Sequence, residues 1–346
     1  MSHDPTLERY VRQMRFAPLG EAGQRRMLDS RVLIVGCGAL GTVLANTLAR
    51  AGVGHLRIVD RDFIETNNLQ RQILFDEQDV ADELPKAIAA ANKLRRINSQ
   101  IEIEPLVTDV DAANISTLCE GVDLILDGTD NFETRFLIND VAVKLNLPWV
   151  YGGCLGAEGQ SMTILPGDTP CLRCLIPEPP AAGTTPTCDT AGIVSPIINV
   201  IASIESMEAI KILSGHREAI SRTLTIIELW ENRFRNMKLD TLRESVDCAC
   251  CKRREFAWLD GDRGSHTAVL CGRNAVQIAP PSGTRLELGE MAKSLSSLGA
   301  VSQNAFLLRL AVDKYRLTIF PDGRAIIGGT DDIAEAKSVY ARYIGN

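Results

Sequence analysis

The sequence predicts an α/β fold: a doubly wound, mostly parallel sheet with an antiparallel extension, followed by a small C-terminal α+β domain. Three observations predict it. A β-branched run, Arg31–Val35, ends in Gly36-Cys37-Gly38-Ala39-Leu40-Gly41 and turns into a helical stretch. Short apolar strands then alternate with helical periods, the pattern of a parallel sheet with helices on both faces. After Gly152 that alternation stops, and strands of antiparallel type flank two Cys-x-x-Cys pairs, Cys171/Cys174 and Cys248/Cys251.

The elements follow in order. A helix at Glu21 to Leu28 precedes the first strand. In the glycine turn, Gly36 permits a tight bend, Gly38 lets a phosphate approach the backbone, and Gly41 lets helix and strand pack closely. The helix Ala39 to Ala51 offers its free N–H groups and dipole to an anion. The next strand, HLRIVD, ends at Asp60, an acid placed to hold ribose hydroxyls. This strand–turn–helix–strand–Asp setting is Rossmann-like and predicts nucleotide binding without naming the nucleotide. Helix Leu84 to Asn98, strand IEIEPLV, helix Ala112 to Glu120, strand VDLILD, helix Asn131 to Asn146 and strand LPWVYGG complete the alternation. Ligands of such sheets sit at the carboxyl ends of the strands, where Asp60, Asp62, Asp127 and Asp130 cluster. Strands EGQSMTIL and TLTIIEL follow, with helix Gly192 to Ser214 between them. The Pro-, Gly- and Thr-rich stretch 177–191 is too long for an ordinary connection and reads as a functional, mobile loop. Residues 1–255 form the first domain. A linker, Arg253 to Ser265, leads to an accessory domain at 266–346 with four strands and two helices, Leu288 to Leu298 and Asp332 to Tyr343.

Composition sets limits. A chain of 346 residues with 45% hydrophobic residues can bury a full core. Its net charge of −7 argues against a nucleic-acid or membrane-surface role. Ten cysteines at this length are not a disulfide framework. The first residues, MSHDPTLERYVRQMRF, lack the apolar core of a signal peptide. The apolar stretch Ala191 to Leu213 carries Glu205, Glu208 and Lys211, so it reads as a buried amphipathic helix and not a membrane span. The expectation is a cytoplasmic protein with reduced thiols.

The cysteine pairs read as a structural zinc site. A short turn aims two thiolates at one point, and two turns complete a tetrahedral set: Cys171, Cys174, Cys248 and Cys251. Cys250 lies inside the second pair and is the alternative fourth ligand; the regular two-residue spacing favours Cys251. Cys37 and Cys154, near glycine turns, read as small packing residues.

The polar residues choose among nucleotides. Asp62, Asn67, Asn68, Arg71, Gln72 and Lys86 follow the second strand, and Asp130 follows the strand-end Gly-Thr. A nicotinamide dinucleotide site does not need Arg, Lys and a second acid at one mouth; a triphosphate does. Cations neutralise its oxygens, and an Asp can hold Mg²⁺ beside waters.

Taken together, RYVRQMRF, GCGALG, NNLQRQ, the Pro-Lys of LPKA, DGTDN, GAEGQ, CLRC, TCDTAGI and CACC resemble, in order, the ThiF/MoeB/HesA adenylyltransferases, bacterial relatives of the ubiquitin-activating enzymes. The likeness covers roughly residues 7–255, and the extension from His266 is similar to long forms of the thiamine thiazole sulfur-carrier adenylyltransferase. The resemblance implies ATP-dependent adenylylation of a ubiquitin-like sulfur carrier ending in Gly-Gly, with pyrophosphate released. The carrier implied is that of thiazole synthesis, with a molybdopterin-type or other sulfur carrier as the alternative. By matching motifs, Gly36, Gly38 and Gly41 would cradle the nucleotide and Asp60 or Asp62 would hold the ribose. Asn68, Arg71, Gln72 and Lys86 would hold phosphates, and Asp130 the Mg²⁺. Cys188 matches the position of a nucleophile that couples to the carrier. Arg12, on a free N-terminal arm, would reach the partner's site in a homodimer, and a cysteine desulfurase or another donor would supply sulfur. Two other classes remain: an NAD-dependent oxidoreductase, which the Arg71/Lys86/Asp130 set argues against, and a non-catalytic carrier-binding scaffold.

Overall fold

The computed structural model describes residues 4–180, 188–261, 263, 267–270, 274–278 and 285–345. The chain divides into two compact units, Met1–Arg263 and Gly264–Asn346.

In the first unit, helix α1 (Gly20–Asp29) leads into β1 (Arg31–Val35), α2 (Ala39–Ala51) and β2 (His55–Val59). Then come α3 (Lys86–Ile97), β3 (Glu102–Leu106), β4 (Leu124–Asp127) and α4 (Phe132–Leu145). The unit continues through β5 (Trp149–Leu155), β6 (Glu158–Ile164), α5 (Ser195–Ser214), β7 (Thr223–Glu228) and β8 (Arg233–Lys238). The eight strands lie in the order β3-β2-β1-β4-β5-β6-β7-β8. Pairing is parallel from β3 through β5 and antiparallel from β5 to β8. The winding reverses between β1 and β4, so a crevice opens at their carboxyl ends.

The period of a buried strand sorts the core into two layers. Val32 and Ile34 of β1 join one apolar cluster with residues of α2, α3 and α5. Leu33 and Val35, on the opposite face, join the other with α4 and the cysteine turns. Helix ends are set by local chemistry. The Asn131 side chain caps α4 by accepting from the Thr134 N–H, and α2 stops at left-handed Gly52.

Some elements differ from expectation. The helix expected at 112–120 is one turn, Ile115–Leu118. Asp111 takes the N–H groups of Ala113 and Asn114 in a turn before it, which delays the helix. The helix expected from Gly192 starts at Ser195, because Gly192 is left-handed and the next residues pair with Gly156. The N-terminal arm is not free. Residues 5–10 form a 3₁₀ turn with Leu7 and Tyr10 buried. The Tyr10 hydroxyl accepts from Asn98 Nδ2 at 2.8 Å, and Gln13 donates to the Ala51 carbonyl at 2.9 Å. The arm is bound to its own unit by these contacts, and only side chains such as Arg12 point outward.

The second unit is a six-stranded antiparallel sheet in the order β11-β12-β13-β14-β10-β9. Its strands are β9 (Thr267–Leu270), β10 (Ala275–Ile278), β11 (Ala300–Gln303), β12 (Leu308–Val312), β13 (Tyr315–Ile319) and β14 (Ala325–Gly328). Helices α6 (Leu288–Leu295) and α7 (Ile333–Tyr343) share its apolar core. Among the described residues no helix is long and apolar enough to cross a membrane.

Candidate functional site

The site is built on the glycine turn after β1. Gly36 has φ +87°, and a Cβ there would run into the Gly128 carbonyl. A Cβ on Gly41 would collide with the Gly36 carbonyl. The bare backbone thus lets the β1 turn, the end of β4 and the start of α2 meet closely, leaving the α2 N-terminus facing the crevice.

A continuous run of charged groups borders this turn. Asp60 accepts from the Cys37 N–H and the Asp62 N–H, both at 2.6 Å. Burial pushes the Asp60 carboxyl up, and Lys86 works against that rise. Lys86 is buried at the start of α3 and binds Asp62 Oδ2 at 3.1 Å. Arg61 binds Asp109 at 2.8 Å and lies 3.9 Å from Asp62. Burial works against the Arg61 charge, but Asp109, Asp62 and Asp130 together hold it firmly protonated.

The segment after β2 adds amides and a guanidinium. Asn68 is buried, donates to Asn67 Oδ1 at 2.7 Å and accepts from the Glu65 N–H at 3.2 Å. Arg71 is half-buried, one nitrogen donating to the Asn67 carbonyl at 2.7 Å. Gln72 is buried near Gly38, and its side-chain oxygen has no hydrogen-bond partner among the described residues. A buried amide oxygen left unpaired beside a helix N-terminus can accept from a donor on a ligand.

Asp127 and Asp130 do different things. Asp127 is fully buried; it accepts from the Thr129 N–H and hydroxyl at 2.9 and 2.6 Å and from Arg135 Nε at 3.1 Å. Burial pushes its carboxyl up, while Arg135 and Thr129 oppose the rise. Asp130 is exposed and accepts no hydrogen bond among the described residues. Its charge acts on both Arg61 and Arg135. Sequence reasoning missed Arg135, which also donates to the carbonyls of Thr129 at 2.8 Å and Gly152 at 3.1 Å. Burial works against its charge, but Asp127, Tyr151 and Asp130 together keep the guanidinium protonated. The available signal was an acid ending a strand with a cation in the second turn of the next helix.

Arg12 is exposed and makes no hydrogen bond or ion pair among the described residues. Cys188 opens a one-turn helix, Cys188–Ala191, but its side chain and residues 181–187 lie outside the described residues.

The cysteine turns converge. Cys171, Cys174, Cys248 and Cys251 place their sulfurs within 4.8 Å of one another. Cys171 Sγ lies 3.8 Å from Cys174 Sγ and 3.6 Å from Cys248 Sγ, and Cys174 Sγ lies 3.4 Å from Cys251 Sγ. A tetrahedron with Zn–S bonds of about 2.3 Å has edges of about 3.8 Å, so the four thiols fit a zinc ion. Cys250 is outside this set, fully buried, with its sulfur accepting from Asn139 Nδ2 at 3.2 Å.

Fold and site together define an α/β protein with a glycine turn, a charged crevice at the sheet's switch point and a four-thiol knuckle. The chain belongs to the ThiF family, which it matches over residues 10–250. It is 44% identical to the sulfur carrier protein ThiS adenylyltransferase of Bacillus subtilis, over 97% of this chain and 99% of that protein. It is 38% identical to the SAMP-activating enzyme E1 of Haloferax volcanii, over 72% of this chain and 91% of the relative. Among solved structures, E. coli MccB with ATP superposes with a TM-score of 0.60 at 24% identity, covering 70% of this chain and 74% of that one. That last likeness is one of fold.

Proposed function

We propose that this protein is a sulfur-carrier adenylyltransferase: it joins the C-terminal Gly-Gly carboxylate of a ubiquitin-like sulfur carrier to AMP and releases pyrophosphate, in the route to the thiamine thiazole. The observation that carries the reading is the match to a ThiS adenylyltransferase along nearly the whole chain, the second unit included. The unbroken set of charges from Asp60 to Arg135 beside the glycine turn supports it.

The chemistry suits these residues. A C-terminal carboxylate is ionised at neutral pH, so no general base is required. Its oxygen attacks the α-phosphorus of ATP, the bond to the bridging oxygen breaks, and pyrophosphate leaves. What remains for the protein is to align two anions and stabilise developing charge. In this reading the α2 N-terminus, with Gly36, Gly38 and Gly41, receives phosphate, and Asp60 or Asp62 holds the ribose. Asn68, Arg71, Gln72 and Lys86 bind phosphate oxygens. Asp130, exposed and without a protein donor, suits Mg²⁺, an ion that keeps most of its waters. When bound with ATP, that ion neutralises charge on the triphosphate. Arg135 holds Asp127 and the Thr129 carbonyl, and so fixes the backbone that presents Asp130. A zinc ion held by Cys171, Cys174, Cys248 and Cys251 is structural, since four protein ligands leave no open position.

Cys188 is assigned the later thiol attack on the activated carbonyl, which forms the S–C bond and expels AMP. A cysteine desulfurase or another donor supplies the sulfur. Arg12, outward-facing on its anchored arm, completes the site of a second copy in a homodimer.

The test is trapping. Carrier, enzyme and MgATP are mixed and quenched with hydroxylamine, and the carrier's mass is measured. A hydroxamate at the terminal glycine, dependent on ATP and enzyme, is expected; an unmodified carrier under conditions where ATP binds would reject the assignment.

A further inference from the structure

Helix α4 carries two consecutive polar residues into the apolar layer beneath the cysteine turns. Asn139 and Asp140 are both completely buried. Such groups are costly unless hydrogen-bonded, and here each polar atom has a partner in or beside the cysteine turns. Asn139 Oδ1 accepts from the Leu172 N–H at 2.8 Å, inside the Cys171–Cys174 turn. Its Nδ2 donates to Cys250 Sγ at 3.2 Å, inside the Cys248–Cys251 turn. Asp140 Oδ1 accepts from Arg173 Nη1 at 3.3 Å, again within the first turn. Asp140 Oδ2 accepts from the Trp258 N–H at 3.0 Å, just beyond the second. One helix therefore grips both turns through residues that are not among the four clustered cysteines.

We propose that Asn139 is a positioning residue for the metal: together with Asp140 it holds the two cysteine turns in register before an ion binds, and Cys250 is its hydrogen-bond partner and not a ligand. This rests on the zinc reading above. A frame built in advance removes much of the ordering that metal binding otherwise has to drive. Loss of such an outer partner weakens metal binding by about 10- to 100-fold.

Two measurements test it. Hydrogen exchange at the Leu172 amide is followed in zinc-loaded protein and in protein stripped by a chelator. Zinc affinity is measured in competition with pyridylazoresorcinol for wild type, Asn139→Ala, Cys250→Ala and the double variant. The expected result is a Leu172 amide that stays protected after stripping in wild type and loses protection in Asn139→Ala. Both single variants should bind zinc about 10- to 100-fold more weakly. The double variant should be weakened by less than the product of the two, since both substitutions cut one hydrogen bond. An unprotected Leu172 amide in stripped wild type, or wild-type zinc affinity in both variants, would overturn the proposal. If Asn139→Ala does not fold, Cys250→Ala leaves Asn139 in place and decides the affinity question alone. Protein that binds no zinc would end the metal reading, while Leu172 exchange would still decide whether α4 holds the turns.

Discussion

Glu205 offers a quantitative test of how the core around the crevice is built. It lies on α5 with no solvent exposure, and both its oxygens are buried without a hydrogen-bond partner among the described residues. Its carboxyl comes against the backbone of β5 at Gly152, where any Cβ would collide with it. Burial pushes this carboxyl well up, Asp127 adds to the rise and Arg135 opposes it. Because the folded value is raised, the folded protein holds the proton over a range in which the unfolded chain has lost it. Stability therefore falls as pH rises above the unfolded value of about 4.3, by about 1.4 kcal/mol for each pH unit over which the folded acid stays protonated. Glu205→Gln keeps the shape and removes the titration. Its buried amide carries a desolvation penalty of about 1–3 kcal/mol, but that penalty does not change with pH. Asp127 is present in both proteins, so its own titration largely cancels in the difference. The assay is urea unfolding of wild type and variant from pH 5 to 6, each free energy taken from midpoint and slope. The variant should gain stability relative to wild type across that unit, by at most about 1.4 kcal/mol. Parallel pH profiles would show that Glu205 is ionised in the folded state and refute the reasoning.

Asp130→Ala should abolish pyrophosphate exchange while leaving the urea midpoint within about 0.5 kcal/mol of wild type, since an exposed side chain without hydrogen bonds is removed; a large loss of stability would contradict its placement. Metal analysis should find one zinc per chain, lost together with stability in Cys171→Ser and retained in Cys250→Ser; loss of zinc in the latter would move the fourth ligand. Inactive Arg12→Ala and inactive Asp130→Ala proteins, mixed under conditions where subunits exchange, should form heterodimers with one intact site and regain about half the activity of a wild-type dimer. Absence of recovery despite exchange would place Arg12 in its own chain's site or outside any site.

The fold was legible where local chemistry and pattern agreed. The strand–glycine–helix unit at Arg31–Ala51 announces itself because steric crowding at Gly36 and Gly41 admits no side chain. The four clustered cysteines were legible from spacing alone, and geometry separates Cys251 from Cys250. Strand β8 was not legible: all of Arg233–Lys238 is exposed, so no alternation of burial marks it, and only its pairing with β7 makes it a strand. The buried Asp127–Arg135 pair was missed because an arginine on a helix ordinarily reads as surface charge. The neighbouring acids of α5 show the same limit. Glu208 finds Lys211 at 2.6 Å, the Ser221 N–H at 2.7 Å and Thr163 at 3.1 Å, whereas Glu205 finds nothing. Periodicity placed both on one helix but could not say which would be paired.

The central claim is that ATP is activated for a carrier's terminal carboxylate, and exchange of labelled pyrophosphate into ATP tests it most directly. The purified protein is incubated with MgATP and labelled pyrophosphate, with no carrier, with a carrier ending in Gly-Gly, or with the same carrier shortened by its last glycine. Label should enter ATP only with the intact carrier, because the reverse reaction needs the acyl-adenylate. Exchange that is equally fast without a carrier, or that persists with the shortened one, would contradict the account.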